Sequence, residues 1–157
     1  MTPTHSLGNI TWVYNDGGRE VAGFRGRAND CVCRAITIAT GLSYRDVYGD
    51  LNNSAQQERR RDGYRSSARL GVFKATYKQY LARLGWVWVP TMRVGQGCTV
   101  HLRADQLPGG PLIVSVSRHL TTMMYGVVHD TRDPTRGGTR CVYGYWTPGS
   151  DAPVNKL

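Results

Sequence analysis

Hydrophobic positions follow helical spacing through the middle of the chain and strict alternation towards its end. Val32, Ala35, Ile36 and Ala39 recur at offsets of three and four, which predicts a helix with one buried face, with Asp30 placed to cap it and Gly41 to stop it. Ser43 is placed to cap a second helix from Tyr44 to Leu51, with Val47, Tyr48 and Leu51 on one side. Asn52 to Ser67 is polar and reads as irregular. Helical spacing returns from Leu70 through Phe73, Tyr77, Tyr80, Leu81 and Leu84, with Lys74, Lys78 and Arg83 outward and Gly85 as the stop. Trp86-Val87-Trp88-Val89 is a β-prone run closed by Pro90, and a glycine-rich loop, Gly95 to Cys98, follows.

From Pro111 the period becomes two. Leu112 to Ser117 and His119 to Met124 alternate, Tyr125-Gly126 reads as a turn, and Val127-Val128-His129 runs back. A further strand is predicted at Cys141 to Trp146, after the turn-rich Asp133 to Gly138. At the other end Ile10 to Tyr14 alternates, and Asn15-Asp16-Gly17-Gly18 is a tight-turn signal before Arg19 to Phe24. Residues 1–25 therefore read as an N-terminal hairpin arm, 1–147 as one domain and 148–157 as a flexible tail. Helices first and antiparallel strands after give an α+β class, with the Cys31 helix packed on a C-terminal antiparallel sheet.

At 157 residues the chain is long enough to bury a core without metal or disulfide staples. No apolar stretch approaches a membrane span, and Met1 to Gly8 lacks a secretory pattern, so a soluble cytoplasmic protein with no membrane partner is expected. Its four cysteines, Cys31, Cys33, Cys98 and Cys141, are then expected as thiols. The net charge is +9, almost all from arginine, and the densest run is Arg59-Arg60-Arg61. Such a run is a possible anion-binding surface for nucleic acid or an acidic partner protein. A solvated face is the simpler reading, so nucleic acid is not the favoured partner.

Cys31 falls in the first turn of its helix, where free N–H groups and the dipole favour thiolate. If Tyr125-Gly126 makes a two-residue turn, Thr121 faces Asp130 and His119 lies diagonal to Asp130 on the same side. A nucleophile, a base and an orienter for that base are then available together. Zinc is the competing use of these residue types, but no C-x2-C pair occurs and a C-x-C pair on a helix points its thiols apart. No metal and no cofactor are expected.

Asp30-Cys31-x-x-Arg34-Ala35 at a helix start, His119 late in the chain and Asp130 at the end of the next strand resemble the papain-like cysteine peptidase superfamily. The run Asn29 to Ala35 is also similar to the nucleophile segment of ovarian-tumour-type deubiquitinases, and Gly23 to Trp146 looks like small uncharacterised proteins of bacteria and their phages. The resemblance implies a papain-like fold with Cys31 as nucleophile, His119 as general base and Asp130 as its partner. The papain pattern carries a glutamine about six residues before its nucleophile, where this chain has Phe24-Arg25-Gly26. The ovarian-tumour pattern has an aspartate three residues before its cysteine, where this chain has Ala28. The backbone N–H of Cys31, with Asn29 or Arg25, is left to supply the oxyanion donors. The expected function is a thiol hydrolase acting on a protein, peptide or related amide through a thioester. The alternative is a non-catalytic binding protein on that fold, a phage-type accessory factor holding nucleic acid or an acidic host protein.

Overall fold

The buried stripe of the cysteine helix sets the centre of the molecule. In the computed structural model, which describes residues 11–58 and 63–156, α1 (Cys31–Thr40) buries Val32, Cys33, Ala35, Ile36 and Ala39 against a sheet. Gly41 ends the helix in the left-handed region at φ 75°, and its N–H donates to Thr37 O at 3.0 Å. Asp30, expected as the cap, makes no capping bond. Its carboxylate instead accepts from Arg34 and Tyr44. α2 (Tyr44–Ala55) is capped as expected, the Ser43 hydroxyl accepting from Asp46 N–H. α3 (Lys74–Arg83) starts later than its apolar spacing implies, because Ser67 and Gly71 bridge to each other and leave Leu70 outside at 70% exposure.

Among the described residues six strands form one sheet: β1 (Trp12–Tyr14), β2 (Trp86–Pro90), β3 (Pro111–Val116), β4 (His119–Met124), β5 (Val127–Asp130) and β6 (Val142–Pro148). Their order is β1-β5-β4-β3-β6-β2. The alternation of β3 works on both sides: Leu112, Val114 and Val116 join Met123, Val128 and Val142 on one face, while Ile113 joins Leu120 and Trp146 on the other. The helices cover the second face. Leu102 and Leu107 cover the first. On the helix side Trp88 lies across Gly144, where an added Cβ would come within 2.3 Å of the indole.

Four expectations are corrected. The N-terminal hairpin does not form: β1 pairs parallel with β5, so the sheet is mixed rather than antiparallel. The Asn15 to Gly18 turn does exist, but Asp16 uses both oxygens on the N–H groups of Gly18 and Glu20, and Val21 is left 96% exposed. The chain then coils instead of returning as a strand, and packs Phe24 on Tyr44 and Tyr48 of α2. The terminal segment is docked, not loose. Asn155 donates from its backbone to Ala39 O and from its side chain to Ile38 O, both at 2.9 Å, covering carbonyls that the last turn of α1 leaves open. Trp86 Nε1 likewise donates to Pro153 O.

The fourth correction concerns the thiols. Cys98 and Cys141, 43 residues apart, are joined as a disulfide that ties the loop after β2 to the start of β6. Only Cys31 and Cys33 are free. Closing a loop of that length restricts the unfolded chain, so reduction is expected to cost about 4 kcal/mol. Urea unfolding with and without dithiothreitol measures that difference. Arg59, Arg60 and Arg61 lie outside the described residues. No helix among the described residues is long and apolar enough to cross a membrane.

Candidate active site

The β4–β5 hairpin builds one half of the site. Tyr125 and Gly126, at φ 51° and 82°, form the two-residue turn, and the register pairs Met124 with Val127 and Thr122 with His129. One further step brings Thr121 opposite Asp130, and His119, two residues along β4, lies diagonal to it. His119 Nε2 and Asp130 Oδ2 are 2.7 Å apart, and the Thr121 hydroxyl donates to the same oxygen at 2.7 Å. The Thr131 N–H donates to Oδ1. Burial raises the Asp130 pKa, but the bonds and charge of His119, with those of Thr121 and Thr131, outweigh it and leave the carboxyl below its ordinary range.

Helix α1 supplies the other half. The Thr122 hydroxyl donates to Ala35 O at 2.8 Å and fixes the helix on β4, so that Cys31, its first residue, meets His119. Nε2 is occupied by Asp130, which leaves Nδ1 as the ring nitrogen open to a second partner. Burial pushes the Cys31 pKa up. The hydrogen bond and charge of His119, the Leu120 N–H and Arg34 more than reverse this, and the net shift is downward. For His119, burial favours the neutral ring, but bonds to Asp130 and Cys31 lift its pKa to about 9. Both shifts favour the thiolate–imidazolium pair over the thiol and neutral ring.

Cys33 has turned roughly 200° away along the helix. It is 0% exposed, its sulfur faces Tyr44 O, and burial followed by the charge of Asp30 pushes its pKa up to about 12. Iodoacetamide at neutral pH is expected to modify Cys31 well before Cys33. Peptide mapping that finds Cys33 modified first would contradict this assignment.

Behind the pair lies a buried ionic group in which Asp30, expected only as a helix cap, is the central acceptor. Asp30, only 2% exposed, accepts from Tyr44 OH at 2.6 Å and from Arg34, with Arg19 Nε at 3.5 Å. Arg34 also reaches Asp130 Oδ1 at 3.5 Å. The i, i+4 spacing of Asp30 and Arg34 on a helix was the available signal. His129 stands apart, its Nδ1 bonded to Asn15.

No family model, curated protein or solved structure matches this chain. The site is therefore read from its own geometry. The two residues expected to complete an oxyanion hole are not drawn to Cys31 by any hydrogen bond among the described residues. Asn29 is exposed and its N–H donates to Arg69 O, while the Arg25 carbonyl accepts from Arg69 Nη2. Arg25 instead lines a polar cleft of about 590 Å³ beside the site, with Asp16, Arg19, Glu20, Arg34 and Thr131. Of the thiols weighed as zinc ligands, Cys98 and Cys141 are bonded to each other, and no group of three or more potential metal-ligating His, Cys, Asp or Glu side chains occurs among the described residues.

Proposed function

We propose that the protein is a papain-like cysteine hydrolase that cleaves a peptide, isopeptide or related amide through a thioester acyl-enzyme. One observation carries this reading: a half-buried thiol at a helix N-terminus is electrostatically coupled to an imidazole that a buried carboxylate holds by its Nε2. The Cys31 thiolate attacks the carbonyl carbon, and the C–N bond breaks as the His119 imidazolium protonates the leaving amine. Neutral His119 then takes a proton from water as that water attacks the thioester. Sγ leaves and regains the ion pair with His119. Asp130 keeps the ring oriented and stabilises its charge in both steps. The Cys31 N–H, at the first position of α1, is free to donate to the oxyanion.

A peptidyl vinyl sulfone tests the reading, because it reports an activated thiol without requiring the natural substrate. Covalent modification is expected at Cys31 in the wild type and to be nearly absent in His119→Ala. Equal modification of both proteins would remove the case for a hydrolase.

A further inference from the structure

We infer that Arg34 is a positioning residue of this site: its guanidinium spans Asp30 and Asp130 and fixes the second carboxylate so that one oxygen is presented to His119. The inference rests on the hydrolase reading above and adds a fourth side chain to it. Arg34 stands three residues after Cys31 and four after Asp30, so all three lie along one side of α1. Nη1 donates to Asp30 Oδ1, and Nη2 lies 3.5 Å from Asp130 Oδ1, with the side chain only 13% exposed. A single planar fork thus joins the start of the nucleophile helix to the end of β5. Lysine, a point charge, cannot span two carboxylates in this way.

The division of labour at Asp130 follows atom by atom. Oδ2 takes His119 and Thr121, whereas Oδ1 takes the Thr131 N–H and faces Arg34. Arg34 keeps the carboxylate from rotating and keeps it charged, and both effects pass through His119 to the sulfur. The charged and titratable groups that face this cluster are Cys31 and Cys33 on α1, Asp30 just before it, Asp16, Arg19 and Glu20 in the preceding loop, Tyr44 on α2, Tyr77 on α3, His119 on β4, His129 on β5, and Arg140 before β6. Of the three cations besides His119, only Arg34 forms an ion pair with Asp130; Arg19 pairs with Asp30, and Arg140 donates to Pro134 O and Ser117 O.

Two readouts test the inference without any substrate: the rate of Cys31 alkylation by iodoacetamide against pH, and the carbon-13 NMR titration of the Asp130 carboxyl. Both are measured in the wild type, Arg34→Met, Arg34→Lys and the double variant Asp30→Asn with Arg34→Met. The double variant removes the Asp30–Arg34 pair as a unit, leaves Arg19 its bond to Gly26 O, and keeps the test open if Arg34→Met alone does not fold. Loss of the guanidinium is expected to raise the Asp130 midpoint by about one pH unit or more and to slow alkylation at pH 6 by about tenfold, with Arg34→Lys recovering part of both. A folded double variant whose Asp130 titration and alkylation profile superimpose on the wild type would overturn the inference. A wild-type Cys31 that titrates as an ordinary thiol would defeat the hydrolase reading instead, and the Asp130 titration would still decide whether Arg34 acts on that carboxylate.

Discussion

Alanine at position 119 is expected to slow alkylation of Cys31 at pH 7, and to slow turnover of an acyl substrate by ~10²–10⁴. The first effect follows from protonation. Burial by itself raises the Cys31 pKa, and His119 is the main group that reverses the shift. Without the imidazole the thiol returns to its ordinary range near pKa ~8.5 or above, where only a few per cent is thiolate at pH 7. The sign is fixed by the wild-type pair. Lowering pH through the depressed Cys31 pKa removes the thiolate and slows alkylation. Raising pH through about 9 removes the His119 proton and with it the acid for the leaving amine. Hydrolysis should therefore show a bell-shaped profile and alkylation a single rising limb below the ordinary thiol range. His119→Ala should show one limb displaced upward. Alkylation rates across pH, for both proteins, measure this.

The second large effect is on stability. Asp30→Ala is expected to cost about 3–5 kcal/mol, because it removes the hydrogen-bonded partner of buried Arg34 and leaves that guanidinium only the longer contact with Asp130 at 3.5 Å. The Tyr44 hydroxyl loses its acceptor at 2.6 Å in the same change. Much of this cost comes from the under-compensated guanidinium rather than from the lost pair itself. Asp30→Asn combined with Arg34→Met should therefore be more stable than Asp30→Ala alone. Urea denaturation at pH 7 gives both values.

How far the chain could be read depends on the range of each interaction. The β4–β5 hairpin was legible because its signals are local: a two-residue turn at Tyr125-Gly126 between alternating strands fixes the register, and the register alone brings His119 to Asp130. Helix α1 was legible from its period. The pairing of β1 was not, because the Asn15 to Gly18 turn mimics a hairpin while the true partner, β5, lies more than a hundred residues away. Asp30 misled for a different reason. An aspartate before a helix has the composition of a cap, and only the third dimension brings Tyr44 and Arg19 to its oxygens. The Cys98–Cys141 bridge and the docking of Asn155 on α1 also depend on contacts that no local pattern encodes. The sequence brought forward Cys31, His119 and Asp130 without the ionic group of Asp30, Arg34 and Arg19 that lies behind them.

Acylation of the sulfur tests the central claim most directly. Mixing the protein with excess p-nitrophenyl acetate and recording p-nitrophenolate release on a millisecond-to-second scale reports formation of a thioester, and mapping the quenched protein locates the acetyl group. A burst approaching one equivalent is expected, with the acetyl group on Cys31, lost in Cys31→Ala and retained in Cys33→Ala. A burst that survives in Cys31→Ala, or a Cys31 acetylated no faster than a small free thiol, would contradict the account.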